Sequence, residues 1–136
     1  MGGRRVAGQN LAAAEIMKCI LILEDEPLIA MDLQLAFEDA GAEAVVTVSC
    51  DEAFEAMDGA EFDGAVLDVN LGKGETCEPV AVELRARGVP FLLHTGDLDR
   101  AGEALRDLDA PILAKPSGAD DVVSRLFGLN GQLQPA

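Results

Sequence analysis

The chain has 136 residues, 49% of them hydrophobic, and its 10 basic and 25 acidic side chains give a formal net charge of −15. This balance argues against nucleic acid or an anionic membrane as the main partner, because both would repel an acidic surface. No apolar run approaches the ~20 residues of a membrane span, and Cys19, Cys50 and Cys77 form neither a zinc motif nor a disulfide framework, so we expect one cytoplasmic domain.

The first 16 residues precede the first predicted strand and are interpreted as an N-terminal extension. They contain Arg4 and Arg5 but no continuous apolar segment of the kind that a secretion signal requires. Met17 stands two residues before the first predicted strand and is an alternative start, so whether the extension is native stays open. We expect an extension over 1–16, one globular domain over 17–129 and a tail over 130–136.

Short apolar runs alternate with segments of helical spacing along the rest of the chain. This alternation is typical of βαβ units, and it predicts a parallel sheet with helices on its faces. Five strands are predicted, at residues 19–23, 44–48, 64–67, 91–94 and 111–114.

The first helix follows the first strand and has the clearest apolar face. Gly41 supplies its C-terminal stop. The residues expected on the buried face are Ile29, Leu33, Ala36, Phe37 and Ala40.

The other four helices are predicted from capping signals and glycine stops. A capping box over residues 49–52 opens the second helix, which should bury Phe54 and Met57. The third begins near Pro79 and ends at Gly88, and a short fourth covers about residues 100–108. The fifth opens at residues 117–120, and its expected buried residues are Val122, Val123, Leu126 and Phe127.

Polar residues follow four of the predicted strands. In an open parallel sheet, ligands bind outside the carboxyl ends of the strands, so these residues are the candidates for a site. Each alone is more often a solvated boundary residue, but together they supply the charges that phosphoryl chemistry needs. In strand order they are Glu24, Asp25 and Glu26, then Asp68, then His94 and Thr95, then Lys115.

With these motifs in this order and spacing, the chain resembles a response-regulator receiver domain of two-component signalling from about residue 18 to residue 129. The resemblance implies a flavodoxin-like, doubly wound (βα)5 fold with a five-stranded parallel sheet of order 2-1-3-4-5. It also implies that Asp68 is the phosphoacceptor and that Thr95 and Lys115 act with it. It assigns the metal to Glu24, Asp25, Asp68 and the backbone carbonyl of Asn70.

The three clustered carboxylates also have a physical interpretation of their own. Gathering Glu24, Asp25 and Asp68 in one pocket costs repulsion, which is relieved by protonating one of them or by binding a cation. A few carboxylates, completed by water and a phosphate oxygen, are the ligands that Mg²⁺ prefers. The sequence therefore predicts a Mg²⁺ site, whereas Glu26 is expected to face solvent or the N-terminus of the first helix.

Residues 93–96, Leu-His-Thr-Gly, resemble the FATG-type motif of single-domain receivers from alphaproteobacteria. That subgroup implies a sensor histidine kinase of the HWE or HisKA2 type as partner. Ile112 replaces the aromatic residue that is usual in the family, and His94 is expected to pack at its strand end. We expect a monomer or weak homodimer with no output domain, acting as messenger, phosphate sink or kinase inhibitor.

Two alternatives remain at this stage. One is a pseudo-receiver that only binds protein. The other is a Mg²⁺-dependent phosphatase of the haloacid-dehalogenase type, but that family needs a second aspartate where this chain has Asn70, and it places its motif on the first strand. Under the receiver interpretation the chain is not a turnover enzyme, because it catalyses only its own phosphorylation and dephosphorylation.

Overall fold

The computed structural model describes residues 17–96 and 108–132, with side chains described as far as Leu129. Strands and helices alternate over residues 17–96, as the sequence predicts. The strands are β1 (Cys19–Leu23), β2 (Glu43–Thr47), β3 (Gly64–Asp68), β4 (Phe91–Thr95) and β5 (Ile112–Ala114). The helices are α1 (Pro27–Asp39), α2 (Cys50–Gly59), α3 (Glu78–Ala86) and α4 (Ala119–Gln132).

The five strands form one parallel sheet in the order β2-β1-β3-β4-β5, which confirms the predicted order and the flavodoxin-like fold. β1 lies between β2 and β3, with Ile22 opposite Val46 on one side and Val66 on the other. All carboxyl ends therefore lie at one edge of the sheet, where Leu23 is opposite Leu67.

Alternate residues of the strands supply two apolar cores, one on each face of the sheet. Leu21 and Leu23 pack with α2 and α3, whereas Ile20 and Ile22 pack with α1 and α4. The α1–α4 contact includes Phe37 and Phe127, whose ring centroids lie 5.9 Å apart. Both sheet faces are covered, so near-continuous apolar strands are the expected sequence signature.

The prediction of which residues form the buried face of the first helix is wrong for one residue. Ala40 is exposed, because α1 ends at Asp39 and Ala40 is the C-cap before Gly41, whose φ of +97° turns the chain away. Ala30 is buried beside Leu33 and Phe37 instead.

Elsewhere the helix predictions are closer to the structure. Phe54 and Phe127 are half-buried rather than buried, whereas Met57, Val122, Val123 and Leu126 are buried as expected. The short fourth helix predicted over residues 100–108 lies outside the described residues apart from Leu108, which is buried. None of the described helices is long and apolar enough to cross a membrane.

The capping box that the sequence predicts at the start of α2 is present. The Ser49 hydroxyl accepts a hydrogen bond from the Glu52 backbone N–H at 3.2 Å. The Glu52 carboxylate reaches back to the backbone N–H of Val48, at 3.0 Å, one residue earlier than in the usual box. The two bonds fix the direction in which the chain leaves β2.

Gly64 opens β3 at a point where the chain is tightly packed. A Cβ atom at this position would lie 2.6 Å from the Met17 sulfur and 3.3 Å from a Leu126 methyl group. Met17 is 1% exposed, so the chain already enters the core two residues before β1. The absence of a side chain at Gly64 lets β1, β3 and α4 approach one another.

Candidate functional site

Two neighbouring strands bring three carboxylates together at the carboxyl edge of the sheet. Glu24 and Asp25 follow β1, and Asp68 is the last residue of β3. One carboxylate oxygen from each of the three lies within 4.8 Å of the others. Glu24 and Asp68 are 1% and 5% exposed, whereas Asp25 lies nearer to solvent. The structure thus brings together the predicted acidic residues.

Lys115 follows β5 and carries its ammonium group into this cluster. Its backbone N–H donates a 2.7 Å hydrogen bond to the Thr95 carbonyl oxygen, which fixes the start of the side chain beside β4. Lys115 Nζ lies 3.1 Å from Glu24 Oε1 and 3.5 Å from Asp68 Oδ1. The lysine side chain is 13% exposed, so these ion pairs are largely shielded from solvent.

Glu26 is also part of this arrangement, which the sequence prediction missed. It stands at the N-cap of α1 and its side chain is 60% exposed, in line with the prediction that it faces solvent or the N-terminus of that helix. Its carboxylate oxygen Oε2 nevertheless lies 3.3 Å from Lys115 Nζ. The sequence places Glu26 and Lys115 at the same edge of the sheet, but it does not show that their side chains meet.

The pKa of Asp68 is raised to about 7. Burial is the main cause, repulsion from Glu24 is the next, and the positive charge of Lys115 opposes both. Burial lowers the pKa of Lys115, but its contacts with Glu24 and Asp68 outweigh that effect and raise it overall. The site therefore keeps Lys115 charged. It disfavours ionisation of Asp68, because the single ammonium group of Lys115 does not compensate all the negative charge of the cluster.

A divalent cation fits this set of groups. Glu24 Oε1 is buried and accepts no hydrogen bond from the described residues; the Lys115 ammonium is its ion-pair neighbour. Glu24, Asp25 and Asp68 bring three carboxylates to one place, whereas Lys115 supplies one positive charge, so excess negative charge remains. Oxygen ligands with this charge suit Mg²⁺.

The loop after β3 folds over the acidic cluster. Hydrogen bonds from Leu71 N to Glu75 O, at 2.9 Å, and from Cys77 N to Val69 O, at 3.1 Å, hold the loop in shape. A Cβ atom at Gly72 would lie 3.5 Å from Asp25 Oδ2, so the loop backbone runs close to that carboxylate. Asn70, predicted to lend its carbonyl to the metal, lies in this loop.

Thr95 and His94 are adjacent at the end of β4 but point to opposite faces of the sheet. Thr95 is 1% exposed and is paired in register with Ala114. His94 is 3% exposed and lines a cavity of about 160 Å³ with Asp32 and Lys115, among others. Burial, followed by the charge of Lys115, lowers the pKa of His94 to about 4, so the ring is neutral. As predicted, it packs at the strand end.

An apolar stripe of three side chains lies on the outer face of α1. Leu28, Met31 and Leu35 are 77%, 54% and 52% exposed. α1 starts one residue after Glu26, so the stripe begins beside the carboxylate cluster. The sequence prediction did not identify this stripe, although the spacing i, i+3, i+7 places all three residues on one helix face.

No protein-family model matches the chain. The solution structure of SdrG from Sphingomonas melonis Fr1 is 37% identical, covers 85% of this chain and 97% of its own, and has a TM-score of 0.71. The receiver domain of the response regulator TorR, of the TMAO respiratory system, is 30% identical, covers 86% and 99% of the two chains, and has a TM-score of 0.75.

A curated relative, the phyllosphere-induced regulator PhyR of Methylorubrum extorquens, is 34% identical over 113 residues. The match takes in 81% of this chain but only 42% of PhyR, so the chain spans about two fifths of that relative's length.

Proposed function

Because the chain belongs to the response-regulator receiver family of two-component signalling, we propose that it accepts a phosphoryl group from a sensor histidine kinase on Asp68. The phosphorylated protein then passes the signal on through protein contacts or acts as a phosphate sink. A kinase of the HWE or HisKA2 type remains the expected donor.

The observation that carries this proposal is the position of Asp68. Its carboxylate ends β3, next to Glu24 and 3.5 Å from the Lys115 ammonium, at the edge of the sheet where ligands bind. A carboxylate beside a fixed positive charge can act as a nucleophile toward phosphorus, because the ammonium group offsets the charge that builds up on the phosphoryl oxygens.

In transfer of the phosphoryl group, Asp68 is the acceptor, and Lys115 and Thr95 bind the transferred group. A carboxylate oxygen of Asp68 forms a bond to phosphorus, while the bond from phosphorus to the donor imidazole nitrogen breaks and the electron pair leaves with that nitrogen. Lys115 and the Thr95 hydroxyl bind oxygens of the transferred group. Hydrolysis of the acyl phosphate later returns Asp68 to a free carboxylate.

Glu24, Asp25 and Asp68 are the side chains that would hold Mg²⁺, with the Asn70 carbonyl as a further ligand. Bound Mg²⁺ supplies positive charge that offsets the repulsion among these carboxylates and the incoming phosphoryl oxygens. With that charge compensated, the pKa of Asp68 falls from its raised value and the carboxylate is ionised at neutral pH.

The kinase would dock on the apolar stripe of Leu28, Met31 and Leu35. Exposed apolar side chains at helical spacing form a face that a helix of the partner can cover. The stripe starts beside Glu26, whose carboxylate contacts Lys115, so a docked helix would lie at the edge of the site.

The alternatives have less support. A pseudo-receiver has no need of three clustered carboxylates, two of which are buried and paired with one lysine. The phosphatase interpretation requires its nucleophile on the first strand, and Asp68 ends β3. We propose that the protein has no substrate turnover beyond phosphorylation and dephosphorylation of its own aspartate.

Incubation of the protein with acetyl phosphate and Mg²⁺ tests the proposal. We expect up to one phosphoryl group per chain, labile in base, and none in the presence of EDTA. Repeated turnover of phosphomonoesters would instead indicate a phosphatase, and the absence of label at saturating donor would favour the pseudo-receiver.

A further inference from the structure

Glu26 occupies the N-cap of α1 without acting as a side-chain cap. Short polar residues such as Asp or Ser commonly cap a helix by accepting a hydrogen bond from a backbone N–H of its first turn, but the Glu26 side chain makes no such bond. Its carboxylate turns instead toward the sheet edge, where Oε2 lies 3.3 Å from Lys115 Nζ. Its backbone N–H donates a 3.1 Å hydrogen bond to Glu24 Oε2, which holds the two residues together.

Three carboxylates surround the Lys115 ammonium among the described residues. Glu24 lies at 3.1 Å, Glu26 at 3.3 Å and Asp68 at 3.5 Å. Glu24 and Asp68 belong to the cluster that suits a metal ion, but Glu26 does not. Glu26 is therefore the one of the three whose carboxylate serves only to hold the lysine.

We propose that Glu26 acts as a latch on Lys115: the ion pair between the Glu26 carboxylate and the Lys115 ammonium group must break before the lysine can bind a phosphoryl oxygen. This inference rests on the proposed phosphoacceptor function. It makes Glu26 a positioning residue that slows phosphorylation of the resting protein by small donors.

An incoming phosphoryl oxygen competes with the neighbouring carboxylates for the Lys115 ammonium group. An ammonium group has three N–H donors. Three carboxylates lie within 3.5 Å of Lys115 Nζ, and the contact with Glu26 is the one that has hydrogen-bond geometry. A phosphoryl oxygen that reaches Lys115 has to replace one of these partners. Glu26 is the replaceable one, because its side chain is 60% exposed whereas those of Glu24 and Asp68 are 2% and 6% exposed. Its charge also repels the anionic donor at close range.

The test compares variants in labelling by acetyl phosphate with Mg²⁺. In each, Asp68 forms a bond to phosphorus while the bond from phosphorus to the acetate oxygen breaks and acetate leaves. Glu26→Gln removes the charge, and we expect its initial rate at subsaturating donor to rise about two- to fivefold, the range of one partly exposed ion pair. Glu26→Asp keeps the charge and the N-cap but is one methylene shorter, so it should also label faster.

Glu38→Gln is the matched control, since Glu38 is exposed on the same helix and the change in net charge is identical. It should label at the wild-type rate. Equal acceleration by Glu38→Gln, or a wild-type rate for Glu26→Asp, would assign the effect to net charge and overturn the latch.

A second measurement does not depend on phosphorylation. In metal-free protein with labelled lysine, the NMR order parameter of the Lys115 side chain should fall in Glu26→Gln, because one of its three partners is lost. An unchanged order parameter would overturn the latch even if labelling were faster. If the wild-type protein takes no label at all, the proposed function fails, and the order parameter still decides whether Glu26 restrains Lys115.

Discussion

Lys115 Nζ and Glu24 Oε1 lie 3.1 Å apart, and their side chains are 13% and 2% exposed. A buried ion pair is expensive to desolvate, and it is strongly destabilising to leave one partner without the other. The pair connects the end of β1 to the end of β5, on the two sides of β3 and β4. It also holds a positive charge beside Asp68.

Asp25→Asn is predicted to weaken Mg²⁺ binding by about tenfold or more, because it removes a charged oxygen ligand. Wild-type protein should gain about 2.7 kcal/mol of unfolding free energy at a hundredfold excess of Mg²⁺ over its Kd. Thermal melts across a Mg²⁺ titration measure both effects. Asp39→Asn, exposed at the end of α1, is the control, and equal Mg²⁺ responses in the two variants would contradict the assignment.

Stability without metal should depend on pH through Asp68. Its pKa is about 7 in the folded protein against 3.8 as the ordinary value, so between pH 4 and 7 the folded state keeps a proton that the unfolded chain has lost. Raising the pH through this window therefore costs stability, on the order of 1–2 kcal/mol after allowance for solvent screening. His94, with its lowered pKa of about 4, contributes with the opposite sign in the same window.

The comparison with Asp68→Asn isolates the aspartate, since that variant keeps His94. In EDTA, urea denaturation should show the variant gaining stability over the wild type as the pH rises from 4 to 7. A difference that stays constant across this range would show that the Asp68 carboxyl is not perturbed.

Much of the fold was predictable because its signals are local. The apolar runs, the capping box at Ser49 and the stop at Gly41 each lie within a few residues of the feature they specify. Ala40 was wrongly predicted on the buried face, because a helical period does not show that the last residue before Gly41 already leaves the helix.

The acidic cluster was predictable from topology, since Glu24, Asp25 and Asp68 follow strands that are neighbours in the sheet. The contact between Glu26 and Lys115 was not predictable. It depends on side-chain directions at two chain positions that no sequence pattern relates. The exposed stripe on α1 has the same helical spacing as the buried face, so spacing alone does not tell the two faces apart.

Met31→Glu should impair transfer from the kinase without affecting labelling by acetyl phosphate. The substitution puts a charge in the centre of the apolar stripe, and loss of a central interface residue costs more than about tenfold in binding. Phosphotransfer from each autophosphorylated kinase of the source organism is the measurement. Val82→Glu, at a 53% exposed position on α3, is the control. Equal loss in both variants would remove the stripe as the docking surface.

Gly64→Ala should destabilise the protein by about 1–3 kcal/mol, because its Cβ would collide with the Met17 sulfur inside the core. Gly59→Ala, at the end of α2 with nothing within 4 Å of the new Cβ, should be neutral or slightly stabilising. Urea denaturation of the two variants gives the comparison. A neutral Gly64→Ala would show that Met17 can move aside at little cost.

The central claim is that Asp68 itself carries the phosphoryl group, and locating the acyl phosphate tests it most directly. Wild-type protein labelled with acetyl phosphate and Mg²⁺ is treated with borohydride, which reduces an aspartyl phosphate to homoserine, and its peptides are sequenced by mass spectrometry. We predict homoserine at position 68 alone, and none in Asp68→Asn. Homoserine at position 24, 25 or 26, or the same yield of label in Asp68→Asn, would contradict the account.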